Sequence, residues 1–166
     1  KRAGDRPEDY AADVKWMMEL PEGFFMVKQG VSFHSKMKDS VEGFHYGPVQ
    51  KKAGYHGAMD QGQISERGMG HLLDCVAAMK DVLGDKVSLA LDCGPGWFLP
   101  DAIRFANAVE KYNLMWLEDM LTGDYVPWVN PQAYRELTQS TTTPIHTGEQ
   151  VYLRHNFKEL IETQAV

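Results

Sequence analysis

Apolar residues follow two different spacings along this chain. Short stretches such as 87–93 are almost continuously apolar, whereas stretches such as 65–84 carry apolar residues at helical spacing. The predicted strands are residues 23–30, 87–93, 114–121 and 143–149. The predicted helices are residues 8–20, 65–84, 99–113, 130–140 and 156–166. From residue 65 onward the chain is therefore a regular alternation of helix and strand.

Residues with known preferences for helix ends support these boundaries. Ser65 stands where the N-cap of the helix over 65–84 is expected, and Gly84 is expected to end that helix. Asn130 is followed by Pro131, which is typical of an N-cap and a first helical position. Asn156 is predicted to cap the last helix.

The alternation predicts an α/β fold with a parallel sheet. The strands are apolar throughout, which is typical of parallel strands covered on both faces. This pattern suits a (β/α) barrel, and a complete eight-stranded barrel needs about 250 residues. With about four strands in residues 1–166, we expect part of such a barrel, with the later strands absent. An open Rossmann-like or flavodoxin-like sheet is the alternative, but no Gly-x-Gly-x-x-Gly follows the first strand.

Residues 30–65 show no regular spacing of apolar positions. This segment is rich in glycine, and it contains Pro48 and the histidines His34, His45 and His56. Loops of such length in compact domains are usually functional or disordered. We predict a long active-site loop over 30–65.

Composition and charge limit the classes of partner. The chain has 43% hydrophobic and 24% charged residues, which is ordinary for a globular domain. Its net charge of −6 disfavours nucleic acid and anionic membrane surfaces, and no apolar stretch approaches the length of a membrane span. Cys75 and Cys93 belong to no metal or redox spacing motif, which favours reduced thiols. We expect a cytoplasmic protein with no nucleic-acid or membrane partner.

Three carboxylates stand at the ends of predicted strands: Asp92, Glu118 and Glu149. The carboxyl ends of parallel barrel strands share one face, which carries the active site. At about 4 Å and an effective dielectric constant near 20, each pair would repel by roughly 4 kcal/mol. Such a cluster requires protonation, divergent side chains or a cation, and hard oxygen ligands suit Mg²⁺.

Helix capping is the alternative role for these acids. Asp92 is followed by Gly-Pro-Gly-Trp, several residues before the next predicted helix. Asn130 and Asn156 are better placed to cap the helices that follow Glu118 and Glu149. The acids therefore remain available as metal ligands.

The stretches LALDCGPGW, MWLEDML and TPIHTGEQ resemble the three metal-ligand motifs of the enolase superfamily, in its mandelate racemase and sugar-acid dehydratase branch. The resemblance covers about residues 8–166 and is strongest over 86–166. That family places Asp, Glu and Glu at the ends of the third, fourth and fifth barrel strands. The first spacing here, 26 residues, is the expected one, whereas the second, 31 residues, is longer.

The resemblance implies that Asp92, Glu118 and Glu149 bind Mg²⁺. In such enzymes a divalent cation holds the substrate carboxylate, a base removes the α-proton, and the metal stabilises the enediolate. We expect a lyase that dehydrates a sugar acid, in a homo-oligomer whose N-terminal capping domain is absent from this chain. The alternatives are a racemase, epimerase or cycloisomerase of the same superfamily, and a non-catalytic α/β binding module. Asp119 is assigned no ligand role.

The catalytic base departs from the family pattern. Relatives often carry Lys-x-Lys on the second strand of the barrel, to which the predicted strand over 23–30 corresponds. This chain has Lys28 and then Gly30 there. The missing second lysine disfavours a two-base racemase, whereas Lys28 could bind the substrate carboxylate or act as base if burial lowers its pKa. Gly94 stands where relatives often have Asn or His.

The long loop offers further candidates. His34, His45, Tyr46 and His56 follow the second strand of the barrel and could supply hydrogen bonds or an acid for a departing hydroxyl. His34 lies nearest the strand end and is predicted to be catalytic together with Lys28. His146, inside the last strand, is predicted to be a core or supporting histidine.

Overall fold

The fold is built on a parallel sheet whose strands follow one another in chain order, β1-β2-β3-β4. The computed structural model describes residues 3–47, 62–121, 130–149 and 151–166. The strands are β1 (Met26–Gly30), β2 (Ser88–Asp92), β3 (Leu117–Glu118) and β4 (Ile145–His146). The helices are α1 (Pro7–Met18), α2 (Met37–Ser40), α3 (Glu66–Leu83), α4 (Leu99–Val109), α5 (Pro131–Gln139) and α6 (Arg154–Glu162), with 3-10 turns at Ser32–His34 and Glu110–Tyr112. Consecutive parallel strands joined by helices are the arrangement of a (β/α) barrel segment.

The register of the strands aligns their C-terminal residues in one row. Gly30 pairs with Asp92, Asp92 with Glu118, and Glu118 with His146. We call Gly30, Asp92, Glu118 and His146 the terminal row. Paired residues of parallel strands point to the same side of the sheet, so the side chains of the row share one face.

The two faces of the sheet differ in chemistry. One face is buried against the helices and carries Val27, Gln29, Leu89, Leu91, Leu117 and Ile145. Near its edge, Gln29 Nε2 donates to Asp13 Oδ2 of α1 at 2.8 Å. The other face carries Lys28, Ala90, Trp116 and the terminal row, and in this chain it is open enough to leave His146 exposed. Within the described residues, the helices therefore pack against the first of these faces.

The prediction that the strands are covered on both faces is confirmed for β2, where Leu89, Ala90 and Leu91 are all buried, but β1 departs from it. Burial alternates along β1, with Met26 48% exposed and Val27 8% exposed. This alternation was hidden in the sequence because Met26, which is also apolar, lies on the more exposed face.

Two of the three predicted N-caps are confirmed, and Gly84 ends α3 as predicted. Ser65 Oγ accepts a hydrogen bond from Gly68 N at 3.0 Å, and Asn130 Oδ1 accepts one from Ala133 N at 3.1 Å. Asn156 lies inside α6 instead of capping it. Its side chain donates to the Tyr152 carbonyl at 2.6 Å, so the helix begins earlier than its asparagine suggests.

The segment predicted as a loop over 30–65 is partly regular. A 3-10 turn and α2 follow β1 directly, and His45 forms an isolated antiparallel bridge with Ile64 where the segment returns to α3. Asp101 Oδ2 accepts from Ile64 N at 2.8 Å, and Arg104 Nη2 donates to Ile64 O at 3.1 Å. Residues 48–61, including His56, lie outside the described residues.

None of the described helices has the length and apolar character that a bilayer crossing requires.

Candidate active site

Lys28 joins two acids of the terminal row. Its side chain rises from β1, and Nζ lies 3.1 Å from Asp92 Oδ2 and 2.7 Å from Glu118 Oε1. Both acids are largely buried, with side chains 10% and 12% exposed, whereas the Lys28 side chain is 42% exposed. The ammonium group thus occupies the space between two carboxylates from successive strands. This contact compensates the repulsion that the sequence predicts for converging acids.

The charges of this group reinforce one another. Burial lowers the pKa of Lys28, but hydrogen bonds to Glu118 and Asp92 and their negative charges outweigh it, so the pKa is raised above its ordinary value of 10.5. Burial likewise raises the pKa of Glu118, but the hydrogen bonds from Lys28 and Trp116 outweigh it and the pKa is lowered below 4.5. At neutral pH Lys28 is therefore an ammonium and Glu118 a carboxylate.

His34 contacts the same acid from the other side. Its Nδ1 lies 3.2 Å from Asp92 Oδ1, so both oxygens of this carboxylate have a nitrogen partner. The 3-10 turn that presents the imidazole is held on the end of β2, where Phe33 N donates to Cys93 O at 3.1 Å. Ser32, at the start of the turn, has a positive φ of 51°.

Two glycines provide the space for this turn. A Cβ at Gly30 would lie 2.8 Å from Cδ2 of His34, and a Cβ at Gly94 would overlap the backbone nitrogen of His34. Gly94 also has a φ of +66°, which favours glycine. These are the two positions where the sequence departs from the family pattern. The space that side chains would take there is occupied by the His34 turn.

Trp116 fixes the remaining oxygen of Glu118. Its indole Nε1 donates to Glu118 Oε2 at 2.8 Å, while Lys28 binds Oε1. The indole also packs against the imidazole of His146, with ring centroids 5.0 Å apart and planes tilted by 34°. Trp116 directly precedes β3 and lies two residues before Glu118, so the two side chains share a face of the sheet.

Three carboxylates converge beyond the end of β3. One oxygen each from Glu118, Asp119 and Glu149 lies within 4.8 Å of the others. Asp119 is only 2% exposed and has a φ of 55°, which turns the chain directly after β3. Three carboxylate donors suit a hard divalent cation such as Mg²⁺, so the residues fit the metal that the sequence predicts.

The predicted ligand trio is only partly assembled in this arrangement. Glu118 and Glu149 belong to the convergent group, and Asp92 is joined to Glu118 through Lys28. Asp119, which the sequence analysis left without a role, lies beside two of the predicted ligands. The assignment of Asp92, Glu118 and Glu149 to a metal stays a prediction, as do the catalytic roles of Lys28 and His34.

The remaining loop candidates lie elsewhere. His45 is buried in its bridge with Ile64, and Tyr46 is 55% exposed with its hydroxyl 3.4 Å from the backbone nitrogen of Glu66. Both therefore lie near the start of α3, where the loop closes.

Trp116 and His146 are the site residues that sequence reasoning undervalued. His146 is not a core histidine, because it is exposed and stands in the terminal row. The period of two in MWLED would have placed Trp116 on the face of Glu118, but the neighbour of His146 depends on strand register, which the sequence does not show.

Comparison with known families gives one extended match. The family model described as "Enolase C-terminal domain-like" matches residues 37–166, which include the terminal row from Asp92 onward.

Two curated proteins illustrate the relatives of this chain. It is 38% identical over 96 residues to the D-xylonate dehydratase of Haloferax volcanii. This match covers 58% of this chain and 22% of that protein. It is 33% identical over 100 residues to the D-galactonate dehydratase family member ManD of Chromohalobacter salexigens, which covers 60% of this chain and 24% of that protein. The chain thus spans about a quarter or less of the length of these relatives.

A solved structure shows the same fold over nearly the whole chain. The mandelate racemase/muconate lactonizing enzyme-like protein from Rubrobacter xylanophilus is 32% identical and superposes with a TM-score of 0.69. The match covers 96% of this chain and 34% of that protein. The predicted α/β fold, a barrel segment of the enolase type with about four parallel strands, is confirmed.

Proposed function

Because the chain belongs to the enolase C-terminal domain-like family, we propose that it forms part of a Mg²⁺-dependent lyase that dehydrates a sugar acid. The observation that carries the proposal is the terminal row, where Lys28 bridges Asp92 and Glu118 beside a group of three carboxylates. The names of the dehydratase relatives support a sugar acid as the substrate. The substrate is then a small carboxylate with hydroxyls on both the α- and the β-carbon.

Asp92, Glu118 and Glu149 would hold the cation, with Asp119 beside them. A bound Mg²⁺ supplies Lewis-acid chemistry, which lowers the cost of the negative charge that develops when an α-proton leaves. The chain itself fixes the acids in advance, because Trp116 holds one oxygen of Glu118 and His34 holds one oxygen of Asp92. Groups that are already oriented need no reorganisation when charge develops.

We assign to Lys28 Nζ the removal of the α-proton. While two carboxylates hold it, the ammonium cannot accept a proton, because its pKa is raised. When those carboxylates turn to another partner, the contacts that raise the pKa of Lys28 are lost and only the lowering effect of its partial burial remains, which favours the neutral amine that can act as base. Nζ then takes the α-proton and the electron pair of the C–H bond stays with the substrate.

We assign to His34 the protonation of the departing hydroxyl. Its Nδ1–H faces Asp92, and in the imidazolium form Nε2 carries a second proton, which it can donate to the leaving oxygen. Breaking the β C–O bond releases hydroxide, which leaves as water once it has this proton. The enol product becomes a 2-keto-3-deoxy acid.

The missing second lysine favours elimination over racemisation. A two-base racemase needs proton carriers on opposite faces of the α-carbon, and Gly30 stands where relatives often carry the second lysine. The expected homo-oligomer and cytoplasmic location stay predictions.

Incubation of the full chain with D-xylonate, D-galactonate and D-mannonate in Mg²⁺ tests the proposal. We expect 2-keto-3-deoxy acid from at least one of them, and loss of product in Lys28→Met. Lys158→Met is the matched control, because Lys158 is exposed on α6 and pairs with Glu162 at 3.7 Å. Titration with Mg²⁺ by calorimetry, repeated with Glu118→Gln, tests the metal separately. The absence of both product and binding heat in the wild-type chain would refute the proposal.

A further inference from the structure

We propose that His146 is a substrate-contacting residue that binds a hydroxyl of the sugar acid, an inference that rests on the proposed function. His146 pairs with Glu118 across β3 and β4, so its side chain rises from the same face as Asp92 and Glu118. Unlike those acids, it is exposed. The terminal row therefore ends in an imidazole that a bound molecule can reach.

The orientation of this imidazole is fixed by Trp116. The two rings lie with centroids 5.0 Å apart, and the indole is itself held by its hydrogen bond to Glu118 Oε2. A histidine packed on a tethered tryptophan presents its nitrogens in a defined direction and loses less side-chain entropy on binding. His146 is thus prepared for contact even though it is exposed.

The described residues do not use the hydrogen-bonding capacity of the His146 side chain. Across residues 3–47, 62–121, 130–149 and 151–166, its imidazole nitrogens make no hydrogen bond. A neutral imidazole offers one donor and one acceptor, which matches the mixed character of a hydroxyl group.

The place of His146 in the row selects a hydroxyl over the carboxylate. Lys28 contacts Glu118 at Oε1, whereas the Trp116–His146 pair lies on the Oε2 side. A substrate whose carboxylate and α-carbon face Lys28 and the acids would extend its remaining carbons along the row toward β4. In a sugar acid those carbons carry hydroxyls, and His146 is the polar side chain that the row places there.

Calorimetric binding measurements on the full chain test this role. The probes are D-xylonate, D-galactonate and D-mannonate, each compared with 2-hydroxypentanoate, which lacks hydroxyls beyond carbon 2. Loss of one hydrogen bond to a hydroxyl should weaken binding of the polyhydroxy acid by about fivefold in His146→Ala. Binding of 2-hydroxypentanoate should not change, and His146→Asn should recover most of the lost affinity.

His155→Ala is the matched control, because His155 is an exposed histidine in the first turn of α6. Urea unfolding of each variant shows whether the fold is kept. In steady-state kinetics, His146→Ala should raise KM about fivefold and change kcat less, because the contact lies away from the reacting carbons.

Equal loss of affinity for both kinds of acid, no loss in His146→Ala, or no binding of any sugar acid to the wild-type chain would overturn the inference. If keto acid forms and His146→Ala behaves like wild type, the proposed function stands and this role fails. If sugar acids bind more weakly to His146→Ala but no keto acid forms from any of them, this role stands and the dehydratase proposal fails.

Discussion

Replacement of Lys28 by Met removes the ammonium between two acids and leaves the stem length nearly unchanged. At about 3 Å and an effective dielectric constant of 20, each ammonium–carboxylate contact has a gross attraction of roughly 5 kcal/mol. Solvent reaches the ammonium, since the Lys28 side chain is 42% exposed, so most of this attraction is screened. We expect Lys28→Met to lower the free energy of unfolding by about 2 kcal/mol in EDTA.

The same substitution should tighten the binding of Mg²⁺. In the wild-type chain a cation that enters between Asp92 and Glu118 must first displace the ammonium, whose contacts are 3.1 and 2.7 Å long. If displacement of the ammonium costs about 2 kcal/mol, a variant without this cost should bind Mg²⁺ about thirtyfold more tightly. The loss of stability should therefore shrink in saturating Mg²⁺.

Urea unfolding of the full chain, followed by circular dichroism in EDTA and in Mg²⁺, measures both effects. Lys158→Met provides the control, because an exposed helical pair contributes about 0.5 kcal/mol or less. Equal stability of Lys28→Met and Lys158→Met in EDTA, with unchanged Mg²⁺ affinity, would refute the view that Lys28 compensates the converging acids.

Three further substitutions test other contacts of the site and the fold. Trp116→Phe removes the indole hydrogen bond to the β3 carboxylate and should lower the free energy of unfolding by about 1–2 kcal/mol in urea titrations. Gly30→Ala places a methyl group 2.8 Å from the His34 ring, so it should reduce keto-acid formation as much as His34→Ala, and the double variant should be no worse than either. Hydrogen bonds, first that from Thr142 N, lower the pKa of Glu110 in the folded protein. The contribution of Glu110 to the free energy of unfolding is therefore complete above its ordinary pKa of 4.5 and is lost as the pH falls through the lower pKa of the folded state. Unfolding measured from pH 7 to 2 should show Glu110→Gln less stable than wild type at neutral pH, with the difference vanishing in acid; a constant difference would contradict the assignment.

The parts of the fold that depend on local chemistry could be predicted from the sequence. Ser65 and Asn130 cap their helices because a side-chain oxygen reaches a backbone N–H three residues ahead. Asn156 has the same local preference, but its side chain donates a hydrogen bond to the Tyr152 carbonyl instead. Only the folded turn before α6 brings that carbonyl near. The strand ends at Asp92 and Glu118 were also predictable, because each acid ends an apolar run.

The contacts across strands could not be predicted in this way. The pairing of Glu118 with His146 follows from register, and β4 consists of two residues whose pattern does not define that register. The placement of Asp119 beside Glu149 likewise depends on a backbone turn after β3 with a φ of 55°. Sequence reasoning therefore placed Asp92 and Glu118 at the same end of the sheet but did not show which side chains are neighbours there.

The close packing of the His34 turn on Gly30 and Gly94 limits which substitutions this protein can accept in evolution. A lysine at residue 30 would complete the two-lysine arrangement of relatives, but its Cβ would meet the imidazole that already fills that volume. The His34 ring must therefore move before the new side chain can be accommodated. If His34 acts as proposed, a mutational route toward two-base chemistry displaces this proton donor before a second base is in place.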